Sequence, residues 1–501
     1  MALTSDQAPV PPAGDLDPRR WKALMALGVV QFMFVIDMTV VNVALPRIQS
    51  DLGFSHQGLA WVVNAYVLMA GGLLLLGGRL ADVFGRRRMF LIAVGIFGVA
   101  SVTSGAAVNA PMLIVSRFVQ GVGEGLGVPA ALGIVFLLFN DPKERIKAIG
   151  IWGGISGIAG TLGVVISGVL TGLTSWRLIF FINLPIILFA LLVVPRLVPE
   201  SRMHQGRAKV DYVGALAVTA GLVAVVYGLL QAAGESWGSV QVALPLIGGV
   251  VVIALAVIYE SRSPESVIPL RFFTDRARVA SYLVIMFAGC AFFTFVYLMT
   301  LYEQQVLHFS PLRGGLFYLP LGLEIGVGVG ISAGAVAKAG SKPVMIIGLI
   351  GTIIGMLMVS RIHPDGTYLG GVLPGMTVFG ISFGIVMPAT ANAALNNVTG
   401  EDSSRASAVL NTMQQVGGSL GLAGASTIAL RYAAGRVAAG VAGPTASTDG
   451  FAVAFEVAAG LLFAGLLIAL FVATNVTAQP MAGSIPEQPA GRDTEAAATA
   501  S

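Results

Sequence analysis

Four charged side chains lie well inside long apolar runs of this chain: Asp37, Arg117, Glu124 and Glu324, with Glu303 and Glu456 nearer the ends of such runs. An ionisable group within a membrane helix is costly, so each is a functional candidate by default. Asp37 and Arg117 each fall about six residues, roughly 9 Å, from the same end of their runs. At a shared level they can pair. A pair lowers the cost of both charges and holds the carboxylate ionised until it opens or a proton arrives. A purely structural ion pair has the same sequence signature. Glu124 follows Arg117 by seven residues. Seven steps of about 100° put both on one helix face, about two turns apart and too far for a tight pair. Glu124 and Glu324 fall near the middle of their runs, where desolvation disfavours a carboxylate charge and suits the group to loading and releasing protons. A neutral Glu hydrogen-bonded to a neighbouring helix is the plainer reading of each. Asp37, Arg117 and Glu124 are therefore candidates for proton coupling, and Glu324 with Glu124 for substrate binding. Phe292, Phe293, Phe295 and Tyr297 crowd a further run. Of these, Phe292 and Tyr297 are candidates for stacking on a flat apolar substrate, although core packing explains them as well.

The elements that position these residues follow from composition. Apolar residues make up 56% of the 501 positions and charged residues 11%, less than half the roughly 25% of a soluble domain. Too few charges remain to cover a soluble globule. The 64 glycines fit membrane helices, which pack through small residues because lipid gives them no hydrophobic reason to associate. A span needs about 20 apolar residues. Fourteen such runs are present, near 21–43, 56–78, 87–106, 111–136, 147–171, 177–195, 212–232, 241–259, 278–302, 312–336, 343–361, 368–391, 404–431 and 450–474. The expectation is an all-α membrane protein lying in a lipid bilayer. The Pro-rich segment 1–20 and the Ala-, Pro- and Glu-rich segment 475–501 read as disordered tails.

Lysine and arginine set the orientation. With the N-terminus inside and strict alternation, 22 of the 29 fall on inner segments and 6 on outer loops, with Arg117 within a helix. Both termini are expected in the cytoplasm, with the Ala232–Val240 loop outside. This asymmetry accounts for the net charge of +4 without a nucleic-acid partner. The loop Gly78-Arg-Leu-Ala-Asp82-Val-Phe-Gly85-Arg-Arg87 returns 256 residues later as Gly334-Ala-Val-Ala-Lys338-Ala-Gly340-Ser-Lys342, one residue shorter and without its acid. Both copies fall on the same side, as in transporters built from two parallel six-helix halves. The halves are then 21–195 and 278–474, with two extra helices in 196–277.

The first of these loops, with Gly78, Asp82, Gly85, Arg86 and Arg87, resembles the cytoplasmic signature of the major facilitator superfamily. Other stretches resemble its fourteen-helix drug:proton antiporter branch: Asp37 to Pro46, Arg117 to Gly123, Trp176-Arg177 with Asn183 and Pro185, Asp211 to Gly214, Ser310-Pro311 with Gly314, Gly315 and Pro320, and Asn411 to Gly418. The resemblance implies a major facilitator fold of two six-helix halves plus two helices. It implies multidrug or antibiotic efflux across a bacterial inner membrane, with a proton gradient in place of any cofactor. It also implies a cytoplasmic gate at Gly78, Asp82, Gly85, Arg86 and Arg87. Two departures stand out. The fifth run reads Gly163-Val164-Val165-Ile166-Ser167-Gly168, without the Gly-Pro and paired glycines usual in the family, and Glu124 stands where a small residue is usual.

Enzyme signals are weak. Two G-x-S-x-G matches, at Gly380 to Gly384 and Gly417 to Gly421, lie within apolar runs and lack the strand-turn-helix setting that the motif needs. No GxxxxGK[ST] loop is present to bind ATP. The lone Cys290 has no partner for a disulfide or a metal site. The expected function is a monomeric, non-enzymatic exporter of small, largely apolar or cationic compounds. A proton symporter or facilitator for a defined solute is the alternative within transport, and a non-transporting membrane sensor or scaffold the alternative outside it.

Overall fold

The computed structural model describes residues 19–139, 141–201, 212–263, 270–396, 398 and 400–477. The two segments expected to be disordered therefore lie almost wholly outside the described residues, as does Asp211. Among the described residues there are fourteen long helices and no strand. They are α1 (Arg20–Leu52), α2 (His56–Phe84), α3 (Arg86–Gly105), α4 (Ala110–Leu138), α5 (Pro142–Leu173), α6 (Leu178–Leu197), α7 (Tyr212–Gln231), α8 (Val240–Arg262), α9 (Arg276–Val306), α10 (Pro311–Ala339), α11 (Ser341–Val359), α12 (Tyr368–Ala394), α13 (Gly400–Ala438) and α14 (Gly443–Phe471). Thirteen are long and apolar enough to cross a bilayer; α13 has the length but is more polar. Its Asn411, Gln414 and Gln415 face an internal cavity, and Ser419 donates to Asn64 of α2 at 2.7 Å.

The starts of these helices are written locally. Ser55, Asn109, Asp275 and Ser310 accept hydrogen bonds from the first turns of α2, α4, α9 and α10, and Pro111 and Pro311 occupy first-turn positions that lack an intrahelical donor anyway. An even number of crossings leaves the start of α1 and the end of α14 on one face, here called the basic face because Arg86, Arg87, Arg88 and Lys342 lie on it.

The internal repeat is structural. Gly85 and Gly340 both have positive φ, 106° and 84°, at the turns before α3 and α11. Beyond α6, Glu200 accepts from the amides of Arg87 and Arg88 at 3.2 and 3.0 Å, and the Ser201 carbonyl accepts from Arg86 at 3.1 Å. Beyond α14, Asn475 accepts from the amide of Lys342 at 3.2 Å, and the Val476 carbonyl accepts from Ser341 at 2.7 Å. Each half thus covers the exposed amides of its third or equivalent helix with the segment after its last helix. A side chain at Gly85 or Gly340 would strike that covering residue.

Helices α1 to α6 pack on one another, as do α9 to α14, and the halves meet along two seams, α5 against α10 and α2 against α13. The extra α7 lies across the second seam. Thr219 of α7 rests on Gly72 of α2, while Thr427 of α13 donates to the Leu229 carbonyl at 2.6 Å and Arg431 to the carbonyls of Ala232 and Glu235 at 2.7 and 2.9 Å. Close backbone approach holds the helices together. A Cβ at Gly77 of α2 would stand 2.8 Å from the Leu126 Cα of α4. Gly77→Ala is therefore expected to destabilise the protein by about 1–3 kcal/mol through overpacking. Gly154→Ala, at a helical position with nothing within 4 Å, is expected to leave stability unchanged or raise it. Thermal unfolding in detergent, followed by size-exclusion recovery, compares the two.

Candidate functional site

The most buried charges of the first half form one network. Asp37 and Arg117 have no exposed surface and pair at 2.5 Å. Arg117 also donates to the Val62 carbonyl of α2 at 3.0 Å and to the Gln120 side chain at 2.9 Å. The other Asp37 oxygen accepts from Gln120 at 3.1 Å and from Asn183 of α6 at 2.8 Å. Ser101 of α3 accepts from both amides, and Ser104 donates to Gln120 at 3.1 Å. The guanidinium lies over the Tyr66 ring, 4.2 Å from its centre. Five helices, α1, α2, α3, α4 and α6, thus converge on one ion pair. Removing one partner of a buried pair strands the other charge.

A cavity of about 2370 Å³ lies between the halves. It reaches the basic-face ends of the helices at Arg145, Asn396, Val398 and Thr477. Its deeper wall carries Gln31, Asn42, Glu124, Asn411, Gln414 and Gln415 among apolar side chains. Asp37 is not part of this wall. Glu124 is 6% exposed and its Oε2 has no hydrogen-bond partner among the described residues. Its carboxyl neighbours the Tyr66 hydroxyl, so Tyr66 stands between the cavity acid and the sealed ion pair.

On the opposite side of the cavity, Phe292 stacks on Phe383 at 4.8 Å, Phe383 on Phe379 at 5.9 Å and Phe379 on Phe295 at 4.7 Å, a ladder between α9 and α12. Phe292 lines the cavity. Tyr297 does not: it is 2% exposed and packed in the core. Glu324 also turns away, toward α12, where Thr377 donates to it at 2.6 Å and Gly380 leaves room for it. A direct substrate role, expected from the sequence for both, does not follow from where they lie. Gln31, Asn42, Gln414 and Gln415 also line the cavity; their sequence signal is a polar side chain within an apolar run.

The glycines of α5 divide into two groups. Gly163 meets Ile36 and Thr39 of α1, Gly168 meets Pro311 and Gly315 of α10, and Ser167 donates to the Val40 carbonyl. Gly150, Gly153 and Gly157 have nothing within 4 Å and border the cavity. Close packing along α5 is thus confined to its far end. There the halves are in contact: Gln304 donates to the Val43 carbonyl at 2.9 Å and Gln305 to Gln49 at 3.2 Å.

At the basic face, Asp82 accepts from Arg86 at 2.9 and 3.1 Å, and Arg86 also donates to the Gly133 carbonyl at 2.9 Å. Arg87 donates to the Val198 carbonyl at 3.1 Å, and Gly78 packs on Pro129. These contacts tie the loop to its own half.

Two helical halves around a central cavity, with this loop at the turn before α3, are accompanied by a match of residues 27–422 to the Major Facilitator Superfamily. The chain belongs to the Major Facilitator Superfamily. It is 36% identical over 482 residues to the puromycin resistance protein of Streptomyces alboniger, covering 95% of each chain. It is 33% identical over 406 residues to the lincomycin resistance protein of Streptomyces lincolnensis, covering 81% of this chain and 83% of that one. To the cephamycin export protein of Amycolatopsis lactamdurans it is 34% identical, covering 80% and 83%. In fold it is similar to a bacterial homologue of the human lysosomal transporter Spinster, with a TM-score of 0.63 at 16% identity over 91% of this chain and 97% of that one. As a family member it is a multi-pass membrane transporter.

Asp37→Asn is expected to cost about 3–5 kcal/mol by leaving Arg117 buried without a counter-charge. The double variant Asp37→Asn with Arg117→Gln, which removes both charges, is expected to recover part of that loss. Melting temperatures of the purified variants decide, and a double variant no more stable than Asp37→Asn counts against a paired charge at this site.

Proposed function

We propose that the protein is a secondary exporter of small, largely apolar or cationic compounds, antibiotics among them, driven by protons moving inward. In this reading the basic face is cytoplasmic and the cavity receives its cargo from that side. The curated relatives named for resistance or export support the cargo class. The observation that carries the coupling is Glu124: an acid on the cavity wall, one tyrosine away from the sealed Asp37–Arg117 pair. An acid there can hold either a proton or a cationic cargo. The pair beyond it supplies a charge that responds to that choice. Phe292 and Phe383 offer stacking faces to cargo across the cavity.

A second reading, a symporter or facilitator, has one observation in its favour. Helix α5 runs from Pro142 to Leu173 with no interior proline, so it lacks the kink that a proline imposes and that the antiporter signature would supply.

Proteoliposomes with an imposed pH gradient separate the two. Glu124→Gln and Asp37→Asn are expected to lose proton-driven efflux of dyes or antibiotics, while Glu124→Gln still binds neutral cargo. Glu324→Gln, whose carboxyl is turned to Thr377, is expected to keep efflux of neutral cargo. If Glu124→Gln and Asp37→Asn pump like the parent, proton antiport is the wrong account. For orientation, a cysteine at Gly234, with Cys290 replaced, should react with impermeant reagents added outside intact cells.

A further inference from the structure

The far end of α9 holds a carboxyl with no part in the reading above. Glu303 has no exposed surface, and neither of its oxygens has a hydrogen-bond partner among the described residues. It sits in a π-helical turn, Tyr302–Val306, a geometry often found at functional sites. Its space is made by Gly314 of α10, where a Cβ would stand 2.7 Å from Oε1. The adjacent Gln304 spends its amide on the Val43 carbonyl of α1. That bond and the one from Gln305 to Gln49 join the halves at this face, so Glu303 is buried by the same closure.

The groups around it are already engaged. Tyr302 donates to the His363 carbonyl at 2.7 Å. Tyr318 of α10 is held by Thr300 and the Val296 carbonyl at 2.9 and 3.0 Å, and Tyr368 of α12 donates to the Phe317 carbonyl at 3.2 Å. Arg313 of α10 lies over the Phe309 ring at 3.8 Å, and Asp449 of α14 pairs with Arg436. Among the described residues no salt bridge reaches Glu303. A carboxylate there would be a buried charge with no counter-ion and at most the second N–H of Gln304 as a donor, a cost of several kcal/mol that the neutral acid avoids.

We propose that Glu303 is a proton-operated lock on the outer gate. Protonated, it seats against Gly314 and the gate closes. Ionised, it must reach water, and the α1–α9 and α5–α10 contacts part to let it. The only bond that changes is the carboxyl O–H, whose proton comes from, and returns to, water at that face. The closed form holds one more proton than the open form, so closure is favoured as pH falls and lost as pH rises. The proposal rests on the exporter reading only for calling this face the outside.

The test is the distance between spin labels at Ser50→Cys and Asp365→Cys, exposed positions on the two halves of this face, in a Cys290→Ala background reconstituted in nanodiscs. The parent distance should lengthen from acidic to alkaline pH. Glu303→Gln should stay short throughout, and Glu303→Asp should restore a pH response. Gly314→Ala, which crowds the carboxyl from the other side, should lengthen the distance at a pH where the parent is closed. A parent that ignores pH, or a Glu303→Gln that follows pH as the parent does, overturns the lock. A parent that opens with pH yet shows no proton-driven efflux keeps the lock and removes the antiport reading.

Discussion

Lipid offers a buried charge nothing, so every charge inside this bundle must be solvated by the protein. That constraint organises the first half. The Asp37–Arg117 pair needs partners for its remaining valences, and Tyr66 and the Val62 carbonyl of α2, Gln120 of α4 and Asn183 of α6 supply them, with Ser101 of α3 holding the two amides in place. Each of these helices is thereby fixed in rotation as well as in place. The second half has no equivalent ion pair among its described residues. Its interior is organised by the stacked Phe292, Phe383, Phe379 and Phe295, and its acids Glu303 and Glu324 make no salt bridge among the described residues. The two halves share a repeat in backbone but differ in what holds their centres: charge on one side, aromatic faces on the other.

Rocking one half against the other requires seams that can part, and the two seams differ. At α5–α10 the far end is sealed by backbone contact through Gly168 and Gly315, while the end toward the basic face stands open beside Gly150, Gly153 and Gly157. At α2–α13 the halves touch near the middle, at Thr412 and the Gly71 carbonyl and at Ser419 and Asn64. Helix α7 covers that seam and is bonded to α13 at one end while packing on α2 further along. Parting the α2–α13 seam must therefore slide α7 over one of its partners: over α13, where hydrogen bonds tie it, or over α2, where Thr219 on Gly72 carries no hydrogen bond between the helices.

Much of this was legible in the sequence. Helix number followed from run length, and even α13, too polar for a hydropathy criterion, was required by the alternation of basic loops. The Asp37–Arg117 pair was legible because two opposite charges shared a depth. The facing of single residues was not. A helix bathed in lipid and protein has no amphipathic stripe to mark its cavity side, so Glu324 and Tyr297 could not be placed by rotation. The glycines of α5 are ambiguous for a related reason: a missing side chain permits either a close neighbour or an open space, and α5 uses both. Glu303 was set near a helix end because the apolar run stops at about Tyr302, but the chain continues through a π-helical turn to Val306 and carries the carboxyl inward.

If transport is proton-driven as proposed, the cavity must act on a pair it does not touch. Asp37 has no exposed surface, and the wall nearest to it is formed by Val35, Met38 and Thr39 of its own helix. A proton arriving through the cavity meets Glu124 first. Tyr66 already spends its hydroxyl hydrogen on the Phe34 carbonyl at 3.2 Å, so a proton cannot pass along it without breaking that bond. Arg117 has one unpartnered nitrogen, Nη2, which leaves it a donor to spare if the pair rearranges. The cheapest coupling is therefore electrostatic. Neutralising Glu124 removes a negative charge near Arg117 and tightens its hold on Asp37; ionising Glu124 offers the guanidinium a second anion and loosens it. Changes at the cavity wall can thus reach the interhelical network without a proton ever entering the sealed site.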